Sequence, residues 1–342
     1  MTDGSERLSV VVPCYNEHEV LPEFHRRLST VMVGLDRPWE VIYVNDGSTD
    51  GTLRILHEVQ ESHPEVAIID LSRNFGKEIA MTAGLDASCG DAVVIIDADL
   101  QDPPELIPRM VAEWRAGYDM VYARRESRAG ETAFKMATSR WFYRVIGKLS
   151  RVRIPADTGD FRLLSRRAVT ALLQLREQHR FMKGLFAWVG FPQKAIMYRR
   201  DPRFAGDTKW SYWKLWNFAV EGITSFSTVP LRLATYCGIG IAVIAFVYAG
   251  WIFYKTLAYG ESVKGYPSLM VVLLFLGGGQ LIGIGVLGEY LGRMFNETKN
   301  RPLYFLNEHR PSALGLAGTP SVNAPATDFE AQSTSSERSP GV

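Results

Sequence analysis

An α/β catalytic domain on a mainly parallel sheet, followed by a two-helix transmembrane hairpin, is the fold class that this sequence predicts. Three observations carry it. From Leu8 to Val121, short Val- and Ile-rich runs alternate with longer amphipathic segments, the rhythm of βαβ units. Two long uncharged runs follow, about 22 residues at 233–254 and about 24 at 265–288, each enough to cross ~30 Å of hydrocarbon as a helix. Trp, Tyr, Lys and Arg crowd the stretch just before the first run, the composition of a membrane interface.

In chain order, strands are expected at 8–13, 39–44, 66–71 and 92–97, with helices at 20–33, 52–62, 77–88 and 105–116. Ligands of such parallel sheets bind beyond the carboxyl ends of the strands. The polar residues just past those ends are therefore the candidates: Asn16 and Glu17, Asp46, Arg73 and Asn74, and the run from Asp97 to Asp102.

Residues 1–205 make the catalytic domain in this reading, and 206–232 form juxtamembrane amphipathic helices. Two spans, about 233–256 and 266–288, lie within 233–292; a cytoplasmic segment 293–310 and a disordered Ser-, Pro- and Ala-rich tail 311–342 complete the chain. Arg232 precedes the first span, and Arg293, Lys299 and Arg301 follow the second. That bias puts the catalytic domain and both termini in the cytoplasm, on a multi-pass protein of the cell membrane. Gly277, Gly278, Gly279, Gly283, Gly285 and Gly288 suggest close helix packing and a homo-oligomer, and Glu289 is expected to pair with Arg293.

The 342 residues carry 38 Lys and Arg against 37 Asp and Glu, so bulk charge gives no footprint of a nucleic-acid partner. Cys14, Cys89 and Cys237 are scattered, without a CxxC pair or a His/Cys cluster. A zinc site or disulfide framework is not expected, which fits a reducing compartment. The N-terminus lacks a basic region and a small-residue cleavage site, so no signal peptide is expected.

The run Val93-Val94-Ile95-Ile96-Asp97-Ala98-Asp99-Leu100-Gln101 carries the most chemistry. Four β-branched residues form a buried strand that stops in two carboxylates one residue apart. Such a pair can aim hard oxygen ligands at Mg²⁺ or Mn²⁺, leaving positions for water and phosphate oxygens. Asp102-Pro103-Pro104-Glu105 also reads as a helix start with proline in its first turn.

With this run stand Val12-Pro13-Cys14-Tyr15-Asn16-Glu17, Asn45-Asp46-Gly47-Ser48-Thr49-Asp50 and Arg73-Asn74-Phe75-Gly76-Lys77. In order and spacing the chain resembles family 2 glycosyltransferases of the GT-A fold, a Rossmann-like architecture, and within them the dolichyl- and undecaprenyl-phosphate glycosyltransferases. The likeness extends from about Leu8 to Arg301. It implies that Pro13, Tyr15, Glu17 and Asp46 hold the nucleoside of a nucleotide-sugar donor, that Lys77, Arg203 and Lys209 reach its diphosphate, and that Asp97, Asp99 and Gln101 hold the metal. Arg124, Arg128, Lys135 and Ser139 match the stretch that contacts the lipid phosphate. Processive synthases of this fold carry a Gln-x-x-Arg-Trp motif; here the nearest text is Lys209-Trp210, so processive polymerisation is not expected.

Asp157-Thr158-Gly159-Asp160-Phe161-Arg162 suggests a loop on the acceptor side. Asp157 or Asp160 would act as a general base, or would orient the sugar hydroxyls or Arg162. A phosphate acceptor is already anionic near neutrality and does not require a base. The expected reaction is inverting transfer of a sugar from a nucleotide donor, UDP the favoured nucleotide, to polyprenyl phosphate, with Asp99, Asp157 and Asp160 as the catalytic carboxylates. The alternatives are transfer to a lipid hydroxyl, and a non-catalytic membrane scaffold with a relic domain.

Overall fold

The computed structural model describes residues 6–125, 158–178, 180–198, 229–259 and 265–313. Its centre is the predicted parallel sheet. Strands β1 (Leu8–Cys14), β2 (Trp39–Asn45), β3 (Val66–Leu71) and β4 (Ala92–Ile95) alternate with helices α1 (Leu21–Val33), α2 (Thr52–Ser62) and α3 (Lys77–Ala87). β1 pairs in parallel with both β2 and β4, and β2 in parallel with β3. The first connection runs to one side of β1 and the later one returns to its other side. This opens a switch point between the carboxyl ends of β1 and β4, the place where α/β sheets bind ligands.

Alternate residues of each strand feed two cores. Val10 and Val12 of β1 meet Leu21, Phe24, Leu28 and Met32 of α1 on one face. Val11 meets Ala80, Met81 and Leu85 of α3 on the other. Strands buried on both faces read as continuous apolar runs, which is why β1, β2 and β3 were legible. At Gly84 an added Cβ would stand 2.2 Å from Val11 Cγ1, so α3 lies on β1 at a distance only glycine permits.

Beyond β4 the sheet departs from a parallel reading. After a short 3-10 turn (Pro104–Leu106) and α4 (Ile107–Arg115) come β5 (Met120–Arg125), β6 (Thr158–Ser165), α5 (Arg166–Leu173), α6 (Met182–Trp188) and β7 (Gln193–Tyr198). β6 inserts antiparallel between β4 and β5, and β7 runs parallel to β5. With β8 (Leu306–Arg310) at the far edge, the eight described strands lie in the order β7-β5-β6-β4-β1-β2-β3-β8.

Two long helices follow, α7 (Val229–Tyr259) and α8 (Tyr266–Thr298), of 31 and 33 residues. Their apolar side chains point outward, among them Ile244, Phe246, Leu281 and Ile282. Among the described residues no helix is long and apolar enough to cross a membrane. Of the glycines expected to pack helices, Gly279 meets Ile241 at 3.5 Å from its Cβ position, whereas Gly277, Gly278, Gly283, Gly285 and Gly288 face open space. Glu289 pairs with Arg293 as expected, at 2.9 Å.

After the hairpin the chain returns to the sheet. β8 (Leu306–Arg310) adds antiparallel to β3 at the sheet edge. Tyr304 donates its hydroxyl to Asp86 at 2.8 Å, and Arg176 holds the same carboxylate at 2.6 Å. Past β8, Ser312 is buried and the Ala313 N–H reaches the Pro64 carbonyl at 2.8 Å.

Candidate active site

Three loops meet at the carboxyl edge. β1 ends in a turn that Asn16 enters with φ of 56°, a left-handed conformation that Asn tolerates. The Asn16 N–H donates to Ser48 Oγ at 3.0 Å, its side-chain oxygen accepts from Thr49 N–H at 2.9 Å, and the Glu17 N–H donates to Thr52 Oγ1 at 2.9 Å. The post-β1 and post-β2 turns are thus one unit. Pro13 lies past the end of the β1–β4 ladder, where a missing N–H costs nothing. Tyr15 is exposed at the rim.

Asp46 ties the second loop to the third. It is buried, and its carboxylate accepts from Phe75 N–H at 2.7 Å and Gly76 N–H at 3.0 Å. Burial raises its proton affinity against those bonds and Arg73. Gly47, at φ of 63°, passes so close that a Cβ would lie 2.5 Å from Arg73 C and Asn74 N. Asp50 accepts from Thr52 N–H and Thr52 Oγ1 at the start of α2 and from His18 Nδ1.

Gly76 delivers Lys77 into the centre. Lys77 Nζ lies 2.7 Å from Asp97 Oδ2 and 2.5 Å from Asp160 Oδ2. The pairing follows from register: Ile95 of β4 opposes Arg162 of β6, so the residue two beyond the one faces the residue two before the other. Burial pushes Asp97 up to about 6, against Lys77 and with Asp160 and Asp102 adding repulsion. Burial acts the same way on Asp160, but Lys77 and then Lys183 outweigh it and hold that carboxyl below the usual range. The two carboxylates raise Lys77 above the ordinary lysine value despite its desolvation.

Past Asp97 the chain turns through Leu100, buried yet at φ of 57°, a conformation that strains a branched side chain and clusters at functional loops. The Gln101 N–H donates to Asp99 Oδ1 at 3.1 Å. Among the described residues, the buried Asp97 Oδ1 and Asp160 Oδ1 have no hydrogen-bond partner. Unpartnered carboxylate oxygens beside Asp99 and Gln101 fit a hard divalent cation. Among the described residues a second group of ligating types, His25, His63 and Glu65, has its atoms within 4.8 Å of one another. It lies on α1 and the α2–β3 turn, and His25 is engaged by Tyr43 Oη at 2.9 Å and Ser29 Oγ at 3.2 Å.

One participant, Glu78, was not legible in the sequence. Glu78 accepts from Met182 N–H at 3.2 Å; burial and Asp160 push it up to about 7 against Lys77 and Lys183. The Arg162 guanidinium stacks 3.6 Å from the Phe186 ring and donates to the carbonyls of Gly159 and Asp160 at 2.9 and 3.3 Å, fixing the turn that presents Asp160. The position capping the 3-10 turn is Pro103, which makes no side-chain cap bond; Asp102 is buried and accepts from the Tyr198 hydroxyl. Arg124 is exposed on β5. Asp157, Arg128, Lys135, Ser139, Arg203 and Lys209 lie outside the described residues.

Residues 9–173 match the model of glycosyl transferase family 2, and residues 229–294 that of the GtrB C-terminal hairpin. An uncharacterized glycosyltransferase of Synechocystis sp. is 54% identical over 88% of this chain and 95% of its own length. A prophage bactoprenol glucosyl transferase homolog of Escherichia coli is 47% identical over 88% of this chain and 98% of its own. The bactoprenol glucosyl transferase of Shigella phage SfII is 48% identical over 89% of this chain and 99% of its own.

Proposed function

Because the chain belongs to glycosyl transferase family 2, with the GT-A fold, we propose that it moves a hexose from a UDP-sugar to undecaprenyl or another polyprenyl phosphate, with inversion. The convergence of Lys77, Asp97 and Asp160 beside the nucleoside turns carries this reading. Charge control of this kind is what a departing diphosphate requires. The relatives named for bactoprenol glucosyl transfer support a lipid carrier and make glucose the first sugar to test.

A lipid phosphate oxygen attacks the anomeric carbon as the bond from that carbon to the nucleoside diphosphate breaks. The attacking oxygen is already anionic near neutrality, so no proton need be removed. Asp160 suits this, since a carboxylate held ionised by Lys77 and Lys183 is a weak base. A hydroxyl acceptor would need a stronger one. Asp97, Asp99 and Gln101 would hold Mg²⁺ or Mn²⁺, which when bound neutralises charge on the departing diphosphate. Arg162 and the Gly159 turn keep Asp160 in place while Lys77 balances both carboxylates.

The helical hairpin is proposed to sit in the cell membrane, with the catalytic domain and both termini on the cytoplasmic side. Supporting this are the uncharged runs, the outward apolar side chains, and helices of about 46 and 50 Å at 1.5 Å per residue. Arg124 and the basic segment after it would meet the lipid phosphate at the surface. Membranes carrying the chain, incubated with a panel of nucleotide sugars and polyprenyl phosphate, should yield a polyprenyl-monophosphate sugar by mass spectrometry. A sugar found only on lipid hydroxyls, or equal product from Asp99→Ala, would refute the reading.

A further inference from the structure

Asn307 belongs to β8, the strand that re-enters the sheet after the helical hairpin. Its Nδ2 donates to Asp70 Oδ2 at 3.1 Å, and Asn45 Nδ2 donates to Asp70 Oδ1 at 2.7 Å. Asp70 and Asn45 are both buried. Asn45 in turn accepts from the Ser48 N–H through its Oδ1 at 3.3 Å, and Ser48 Oγ holds the Asn16 N–H. A hydrogen-bonded line therefore runs from the post-hairpin strand, through one buried carboxylate, into the joined turns after β1 and β2. The same strand steadies the third loop, because the Ser72 N–H donates to the Phe305 carbonyl at 2.9 Å, one residue before Arg73.

From this geometry we propose that Asn307 is a positioning residue for the nucleoside turn, acting through Asp70 and Asn45; the assignment rests on the reading of that turn as the nucleotide site. Each Asp70 oxygen faces an amide donor that fixes its orientation. Asn45 is then oriented so that its oxygen faces Ser48, and the turn is held before nucleotide arrives. Pre-organisation of this kind shows in affinity. The segment beyond the hairpin is then part of nucleotide binding, since Asn307 lies past the last helix.

The test uses the full chain in detergent, with UDP, GDP and dTDP as calorimetric probes and the thermal midpoint as a fold control. Asn307→Asp sets two carboxylates face to face, and Asn307→Ala removes the amide without adding charge. Each should weaken binding of the recognised nucleotide about tenfold, the scale of a hydrogen bond to a charged group. The exchange pair Asp70→Asn with Asn307→Asp restores a donor facing an acceptor and should bring affinity back to within about twofold. A purely structural role would lower the midpoint without moving the dissociation constant, and that result overturns the proposal. So does an exchange pair as weak as Asn307→Asp, or unchanged affinity in Asn307→Ala, which decides if Asn307→Asp does not fold. A wild-type chain that binds none of the three nucleotides overturns the nucleoside reading itself, and the positioning role with it.

Discussion

Asp97 and Asp160 stand across the end of the β4–β6 ladder and share one ammonium, that of Lys77, at 2.7 and 2.5 Å. Without it the two carboxylates could not both remain charged side by side. Burial keeps Asp97 displaced upward despite that ammonium, whereas Lys77 and Lys183 together hold Asp160 down.

Lys77→Met should therefore cost both stability and transfer. Removing one member of a fully buried pair costs about 3–5 kcal/mol, but the Lys77 side chain is 41% exposed. Solvent screening reduces the expected loss to about 2 kcal/mol. Transfer should fall at least about a hundredfold, as for a lost preorganised charge. A variant with the wild-type thermal midpoint would show that the two carboxylates do not depend on the lysine.

Asp99→Ala tests the metal reading. Chelation should stop transfer by the wild-type chain, and added Mn²⁺ or Mg²⁺ should restore it. The variant should stay at least about a hundredfold down at any metal concentration, because charge on the leaving diphosphate is no longer offset. The measurement is initial rate against free metal, with circular dichroism to confirm folding. Full recovery of Asp99→Ala at high metal would move Asp99 out of the ligand set.

These two predictions use residues that the sequence exposed and a pairing that it did not. Asp97 and Asp99 stood out because a buried β-branched strand ended in them, and Lys77 because the family resemblance implied that it reaches the diphosphate. Their meeting with Asp160 depends on an antiparallel β6 in register with β4, a non-local pairing that apolar periodicity does not encode. β8 was hidden for a different reason. Its sequence, Leu306-Asn307-Glu308-His309-Arg310, is mostly polar because it is an edge strand, and polar edges protect sheets from further pairing. Glu78 and Lys183 carry no sequence signal of their own: they are brought together when the Met182 N–H at the start of α6 reaches Glu78 on α3 at 3.2 Å.

Gly47→Ala should be far more damaging than Gly76→Ala. Both glycines have positive φ, 63° and 99°, so both substitutions meet backbone strain of about 1–3 kcal/mol. At Gly47 the new methyl would also lie 2.5 Å from main-chain atoms of Arg73 and Asn74, whereas Gly76 has nothing within 4 Å. The first change should displace the loop that Asp46 pins and abolish nucleotide binding by calorimetry. Equal binding by the two variants would disprove the close approach as the reason for glycine at 47.

Asp160→Asn separates the two acceptor classes. The amide keeps an oxygen for Lys77 but cannot take a proton. Loss of a true general base lowers rate by about 10²–10⁴. A phosphate acceptor needs none, so transfer should fall by less than about tenfold, with an unchanged pH profile between 6 and 8. A loss of a thousandfold, recovered at high pH, would favour a hydroxyl acceptor.

The stability of the domain should weaken in mild acid through His25, away from the catalytic loops. Burial, and then His63, push this imidazole from 6.5 down to about 4, while its ring hydrogen-bonds the Tyr43 hydroxyl. In the folded chain it stays neutral between those values, whereas in the unfolded chain it takes up a proton. Its contribution is thus complete above pH 6.5, declines as pH falls through the window, and stops declining below about 4. Between pH 7 and 5 the loss comes to about 2 kcal/mol. His25→Gln keeps a polar partner for Tyr43 and cannot titrate, so its thermal midpoint should fall less over the same interval. Parallel curves for the two proteins would assign the acid sensitivity to another group.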